Sequence, residues 1–116
     1  MDEATTLLLH GHFEESLGHF EEAVEGNPRI KLAWAGKGLC LLNLGRYKEA
    51  LTNYEKVLKR YPRYAQAWHG KAMSFEYLGR FNEAIECYDK ALEISPDFKP
   101  AITQRKRLLE KWSNSQ

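Results

Sequence analysis

The chain has 116 residues, of which 43% are hydrophobic and 28% are charged, with a formal net charge of +1 at pH 7. This length fits one small elongated domain, and the balanced charge gives no general basic field for nucleic acid or an anionic membrane. No apolar run reaches membrane-spanning length and the start Met1-Asp2-Glu3 is unlike a secretory signal, so we expect a cytoplasmic location.

A period of 34 residues organises the whole chain. Glycines, prolines, aromatic residues and small residues return at this spacing, and a fixed period of this length is typical of stacked helical repeats. The matching positions include Gly11/Gly45/Gly79, Pro28/Pro62/Pro96, Phe13/Tyr47/Phe81, Phe20/Tyr54/Tyr88, Ala33/Ala67/Ala101 and Glu15/Glu49/Glu83.

In chain order, the pattern predicts helices at 3–10, 13–25, 30–44, 47–60, 65–78, 81–94 and 99–112. Glycine takes a left-handed conformation without steric cost, so the periodic glycines are predicted to end one helix and let the chain reverse. Proline cannot continue a helix, so the periodic prolines are predicted to separate the repeats. Gly38 and Ala72 are small where two helices of one repeat must cross closely.

The last predicted helix departs from the period in one informative place. Lys106 stands where Gly38 and Ala72 stand in the preceding repeats. A long charged side chain fits there only when no second helix follows, so 99–112 is predicted to cap the array. Residues 113–116 are predicted to form a frayed tail.

These residues together make the chain resemble the tetratricopeptide repeat family. Two complete repeats follow the family pattern of a large aromatic residue, a small residue, a turn glycine, a second aromatic residue and a proline. In this sequence the pattern reads Trp34, Gly38, Gly45, Tyr47, Ala50, Tyr54, Pro62 and again Trp68, Ala72, Gly79, Phe81, Ala84, Tyr88, Pro96. The first repeat is truncated, because Met1 falls after the position of the tryptophan.

The resemblance implies an all-α fold, a right-handed superhelical solenoid of antiparallel helix pairs. A single domain is expected at 1–112, with repeats at about 1–30, 31–64 and 65–98 and a capping helix at 99–112. In this family the first helices of successive repeats line a concave groove that receives peptides. The groove residues implied by the register are Leu8, Leu9, Leu32, Ala35, Leu39, Leu42, Asn43, His69, Met73, Glu76, Tyr77, Arg107 and Lys111, with Thr5, Gln66, Thr103 and Gln104 beside them.

This groove is predicted to be apolar along its first part and cationic at its far end. Chaperone adaptors of the family hold an acidic peptide terminus with Lys and Asn side chains, whereas Thr5, Leu39 and Met73 occupy the central positions here. We therefore expect an apolar or amphipathic protein segment, with Arg107 and Lys111 contacting acidic flanking residues. The alternative is that facing leucines cover one another and leave no exposed patch.

No pattern of residues indicates an enzyme, a cofactor or a metal site. The sequence contains neither a glycine-rich phosphate loop nor a nucleophile elbow, and the repeated glutamates fall one on each layer. Cys40 and Cys87 are interpreted as buried thiols, with a disulfide or metal pair as the alternative. His10, His12 and His19 are interpreted as surface residues at and near a turn, with a metal site as the alternative.

Two functions from different classes fit the same features. The chain either binds a segment of another protein as an adaptor or scaffold, or it self-associates, because a truncated first repeat leaves a layer that a second copy can cover. The sequence identifies neither the partner nor the pathway, since this type of scaffold serves many unrelated assemblies. It also leaves open whether the chain is complete or a piece of a longer array.

Overall fold

The computed structural model describes residues 12–27 and 29–114. These residues form six α-helices and no strand, as the all-α prediction requires. The helices are α1 (Phe13–Gly26), α2 (Lys31–Asn43), α3 (Tyr47–Arg60), α4 (Ala65–Tyr77), α5 (Phe81–Ile94) and α6 (Lys99–Asn114). None of them is long and apolar enough to cross a membrane. The predicted helix 3–10, together with Gly11 and Pro28, lies outside the described residues.

The predicted helix boundaries hold to within two residues. α3 and α5 begin and end at the predicted positions, and α6 continues to Asn114, so Ser113 and Asn114 are helical. Gly45 and Gly79 have φ angles of 76° and 78°, the left-handed conformation expected at a helix end. At the first of these turns the Arg46 amide donates to the Leu41 carbonyl at 2.9 Å, which ties the reversal to the end of α2.

Each of these turns also carries an exposed ion pair. Arg46 donates two hydrogen bonds to Glu49, at 3.0 and 2.7 Å, and Arg80 donates two to Glu83, at 2.7 and 2.6 Å. Glu49 and Glu83 therefore lie in the first turns of α3 and α5, each bonded to the arginine three residues before it. Exposed pairs of this kind are screened by solvent and contribute little to the stability of a fold.

The helices stack in chain order, each packing against the one before it. α2 also contacts α4 across the stack, whereas contact between α3 and α5 is sparse or absent. Because the first helices of the two complete repeats approach each other more closely than the second helices do, the stack curves toward the face formed by α2 and α4. We call this face, with its continuation on α6, the concave face.

Tyr54 of α3 joins the two complete repeats. Its side chain is buried and lies between two glycines, Gly38 on α2 and Gly70 on α4. A Cβ atom at Gly38 would lie 2.4 Å from Cζ of Tyr54, and one at Gly70 would lie 2.1 Å from the same atom. Both helices approach the ring closely because neither has a side chain at that point. The glycines therefore allow α2 and α4 to come together on one side of α3.

Two core clusters follow from this packing. One surrounds Tyr54, with Leu41, Ala50 and Val57 among its members, and the other lies between α4, α5 and α6. Trp68 and Met73 of α4 pack against both clusters, and the Trp68 indole nitrogen donates to the Pro62 carbonyl at 2.8 Å. α4 therefore connects the two halves of the array.

We predict that Gly70→Ala destabilises the fold although alanine favours helix formation. Overpacking against the buried Tyr54 ring is expected to lower the free energy of unfolding by about 1–3 kcal/mol, net of the roughly 1 kcal/mol that alanine gains in a helix. The matched control is Gly18→Ala in α1, where an added Cβ meets nothing within 4 Å and should raise stability by about 0.5–1 kcal/mol. Urea unfolding followed by circular dichroism measures both, and equal effects of the two substitutions would contradict the close packing.

Candidate functional site

The candidate site is the concave face, and its apolar part lies mainly on α2. Leu32 at the start of this helix is 68% exposed, while Ala35 and Leu39 are half-buried. Asn43 is exposed at the other end, and its amide donates to the Leu39 carbonyl at 2.9 Å. Leu32, Ala35 and Leu39 together offer a shallow apolar surface.

Leu42 corrects the predicted set of exposed groove residues. It is only 6% exposed and belongs to the core cluster around Tyr54, together with Leu41 and Leu58. The last turn of α2 is packed closely enough that neighbouring leucines on two sides of the helix are both buried. Leu42 is therefore part of the core and is not available as an anchor. Leu8 and Leu9 lie outside the described residues.

Tyr77 is the most exposed aromatic residue of the concave face. Its side chain lies at the end of α4, is 57% exposed, and stacks on Tyr47 with ring centroids 4.9 Å apart and planes 12° from parallel. Tyr47 begins α3, so the ring pair bridges the two repeats at the turn end of the face. The stack holds Tyr77 in place, and a large part of its surface remains open to a ligand.

A polar cluster occupies the part of the concave face between α4 and α6. The buried Tyr88 of α5 donates its hydroxyl proton to Glu76 at 2.8 Å and also lies 3.3 Å from Oε1 of Gln104. His69 Nε2 is 2.6 Å from the same Gln104 oxygen. Since that oxygen is an acceptor, His69 carries its proton on Nε2. Phe98 packs edge-on against the His69 ring, with centroids 5.4 Å apart.

Burial sets the protonation of this polar cluster. It raises the pKa of Tyr88 far above its ordinary value, and the hydrogen bond to the Glu76 carboxylate raises it further, so Tyr88 remains a donor at every physiological pH. Burial lowers the pKa of His69, against a smaller upward effect of the hydrogen bond to Gln104. The cluster is thus a neutral imidazole, a neutral phenol and an amide beside one carboxylate. Glu76 is the negative charge at the centre of the face.

The far end of the concave face is cationic. Arg107 and Lys111 are both exposed, one turn apart on α6. Taken along the array, the face therefore changes from apolar side chains on α2, through Met73, Glu76 and His69 on α4, to cations on α6. This order can distinguish the two ends of a bound segment.

Other possible chemistry is not assembled in the described residues. Cys40 and Cys87 are free and buried, and burial raises the pKa of each thiol to about 11, so both are unreactive at neutral pH. Within residues 12–27 and 29–114, no group of three or more His, Cys, Asp or Glu side chains could hold a metal ion. Among these residues His12 and His19 join no such group, and His10 lies outside them.

Two residues of the site were not expected from the period. In the sequence Tyr88 stands out only as a periodic aromatic residue within a helix, and Tyr47 only as a periodic aromatic residue at the start of one. Their partners Glu76 and Tyr77 were both expected on the concave face. The period did not predict that Tyr88 of α5 would bond to Glu76 or that Tyr47 of α3 would stack on Tyr77. The sequence offered one indication for Tyr88: it carries a hydroxyl group at a periodic position where the first repeat has Phe20.

Comparison with known proteins supports this architecture. A family model described as tetratricopeptide repeat matches residues 32–64 and 65–98. No curated protein matches the sequence significantly.

Three solved structures illustrate the similarity. The crystal structure of YrrB, described as a TPR protein with an unusual peptide-binding site, is 30% identical with a TM-score of 0.83, over 89% of this chain and 53% of that one. The first TPR domain of human RPAP3 is 13% identical with a TM-score of 0.90, over 97% and 88% of the two chains. The second TPR domain of human RPAP3, in complex with the HSP70 peptide SGPTIEEVD, is 20% identical with a TM-score of 0.83, over 92% and 89%. This chain thus spans about half the length of YrrB.

His69 makes the stability of the fold dependent on pH. Its pKa is lowered from 6.5 in the folded chain, so the unfolded chain takes up the proton first as the pH falls. The stability that depends on a neutral His69 is therefore fully present above the pKa of this residue in the unfolded chain. It decreases as the pH falls through the pKa in the folded chain. We expect His69→Gln to reduce the drop in urea midpoint between about pH 7 and pH 5. The exposed His12→Gln is the control, and an unchanged drop in His69→Gln would contradict the buried neutral imidazole.

Proposed function

Since the chain belongs to the tetratricopeptide repeat family, we propose that it is a protein-interaction module that binds an apolar or amphipathic segment of a partner protein on its concave face. The observation that carries this proposal is the order of side chains along the face. Leu32, Leu39, Met73 and Tyr77 present apolar surface on α2 and α4, and Arg107 and Lys111 follow on α6. Such a surface suits a segment whose apolar side chains are followed by acidic ones.

Tyr77 and Leu39 are the proposed anchors. Aromatic side chains contribute large contact areas at interfaces, and the stack with Tyr47 already fixes the Tyr77 ring, so little conformational entropy is lost when a ligand covers it. Leu39 is half-buried, which leaves part of its side chain available while the rest is held by the helix packing. Both anchors lie on helices that the Tyr54 contacts hold together.

The polar cluster is proposed to set the chemistry at the centre of the groove. One carboxylate oxygen of Glu76 accepts a hydrogen bond from Tyr88, and the second carboxylate oxygen can accept another from a ligand. That negative charge disfavours an acidic side chain at the centre and favours a backbone amide or a basic side chain there. An acidic side chain is better placed over Arg107 and Lys111.

The known structures support a role in binding proteins or peptides, whereas the kind of ligand is argued from the residues of this chain. YrrB is described with a peptide-binding site, and the second TPR domain of RPAP3 was solved with an acidic HSP70 peptide. The latter is only 20% identical, so the likeness shows a shared fold and does not transfer the ligand. Leu39 and Met73 are apolar where the chaperone adaptors have polar or basic side chains, so we propose that this ligand is a different one.

We propose that the role is adaptor or scaffold rather than enzyme. In the concave face, the titratable groups that are half-buried or buried already have hydrogen-bond partners: Tyr88 bonds to Glu76, and His69 bonds to the amide of Gln104. Neither pair places an activated nucleophile next to a base. The face is therefore better suited to recognition than to proton transfer.

A designed probe tests the groove. We would measure fluorescence anisotropy with a labelled amphipathic helical peptide, its leucines spaced three and four residues apart and its carboxyl end Glu-Glu, beside the same peptide ending Lys-Lys. Leu39→Glu should weaken both probes at least about tenfold, because it puts a charge against apolar side chains. Arg107→Glu combined with Lys111→Glu should weaken only the acidic probe, and Lys90→Glu on α5 should change neither. Equal binding by native chain and Leu39→Glu, both folded by circular dichroism, would contradict the proposal.

The molar mass of the chain, measured by light scattering over a wide concentration range, distinguishes binding of a partner from self-association. The proposal expects a monomer that binds the probe. A dimer that forms with rising concentration and dissociates in Leu39→Glu would instead show that the concave face is covered by a second copy, which would contradict the adaptor proposal.

A further inference from the structure

A second surface of the molecule lies on the other side of α2 from the groove. Trp34, Lys37 and Leu41 follow one another at spacings of three and four residues, which places them on one side of the helix and roughly opposite Leu39. Together with α3 they line a cavity of about 320 Å³. Its remaining lining residues are Lys48, Glu49, Thr52, Asn53 and Lys56. We call this cavity the basic pocket.

An unsatisfied acceptor marks the inner wall of the basic pocket. Asn53 is only 4% exposed, and its amide nitrogen donates to the Trp34 carbonyl at 3.0 Å, which fixes the orientation of the amide. Its oxygen, Oδ1, has no hydrogen-bond partner among the groups of the described chain. The oxygen is itself fully buried, so a ligand reaches it only after a small shift of the Asn53 side chain toward the pocket. A buried acceptor without a donor is costly, and a ligand N–H group would then relieve that cost.

The rim of the basic pocket is strongly cationic. Lys37, Lys48 and Lys56 belong to it, and the Lys37 ammonium lies 5.4 Å from the centroid of the Trp34 ring. The one carboxylate in the lining, Glu49, already has both oxygens bonded to Arg46. A second depression of about 310 Å³ shares Trp34 and Lys56 with the first and adds Lys59 and Arg60. The two depressions form one positive surface with an aromatic centre.

The next repeat shows that this surface is not a consequence of the fold. At the corresponding positions 34 residues later, Phe75 stands for Leu41, Asn82 for Lys48 and Cys87 for Asn53. Thr52 is replaced by Glu86 and Lys59 by Glu93, and Glu93 lies 3.7 Å from Lys90. Lys71 and Lys90 are thus balanced by two carboxylates, and the buried amide is gone. Two repeats with the same backbone therefore differ in charge and in polar groups at this place.

We propose that the basic pocket binds an acidic, extended peptide segment of a partner protein. Carboxylates of the segment pair with Lys48, Lys56 and Lys59, an apolar side chain packs on Trp34 and Leu41, and a backbone N–H donates to Oδ1 of Asn53. A nucleic acid strand would also pair with the lysines, but the net charge of +1 leaves no wider basic field along which its phosphates could run. The site goes beyond the proposed function, because it would let the chain hold one segment in the groove and another on the opposite side.

The experiment uses a fluorescein-labelled octapeptide, Asp-Glu-Asp-Phe-Asp-Glu-Asp-Glu, and its Asn/Gln counterpart as the uncharged control. Anisotropy titrations of the native chain should show binding of the acidic probe that weakens with added salt, and no binding of the control. Lys56→Glu should weaken the acidic probe at least about tenfold, which is the size of effect expected for reversing a contacting charge. Lys90→Glu, the same position one repeat later, is the matched control and should change affinity less than about twofold.

A separate variant tests the proposed hydrogen bond to Asn53. Asn53→Cys introduces the residue found at that position in the next repeat, so the packing tolerates it, and it should weaken the probe severalfold through loss of the acceptor. Unchanged affinity in this variant would overturn the proposed contact. Urea unfolding of each variant confirms that the fold is retained.

Four further results would overturn the proposal. The first is failure of the native chain to bind the acidic probe, and the second is equal weakening by Lys56→Glu and Lys90→Glu. The third is binding that is lost in Arg107→Glu but not in Lys56→Glu, which would place the probe in the groove and leave the proposed function standing. The last is binding of a thymidine dodecamer, or of a second copy of the chain, at the basic pocket in place of the peptide.

Discussion

The stack depends on one aromatic ring held between two glycines. Tyr54 extends from α3 into a space that Gly38 and Gly70 leave open, and a Cβ atom at either position would overlap the ring. α2 and α4 can therefore lie against each other while both contact α3. That arrangement produces the curvature, and the curvature turns the outer sides of α2, α4 and α6 into one concave surface. The anchors proposed for binding are positioned by this contact rather than by their own interactions.

Much of the fold followed from the sequence because the signals that set it are local. Gly45 and Gly79 end helices through a backbone conformation that glycine adopts easily, and the period repeats those signals at a fixed distance. α3 and α5 accordingly have the predicted bounds. The close approach at Gly38 was also expected. Gly70, the second side of the space around Tyr54, was not, because the family pattern does not mark that position as a contact between repeats.

The site was less predictable, because register gives the side of a helix on which a residue lies and not the depth at which it is buried. Leu42 has the register of a groove residue, yet the packing at the end of α2 buries it. The polar cluster depends on three helices meeting, with His69 from α4, Tyr88 from α5 and Gln104 from α6. Nothing in the spacing along one chain specifies such a meeting. Lys37 gives one side of α2 a single charge, but the basic pocket forms only once the lysines of α3 are placed beside it.

We infer that the Tyr54 contacts make the two complete repeats one rigid unit with a fixed concave face. Native-state hydrogen exchange, resolved by residue in the unmodified chain, tests this most directly. We expect the interior amides of α2, α3, α4 and α5 to exchange with one common free energy of opening, equal to that of global unfolding. If α2 and α3 instead opened at a distinctly lower free energy than α4 and α5, the repeats would be separate units and the Tyr54 contacts would not couple them.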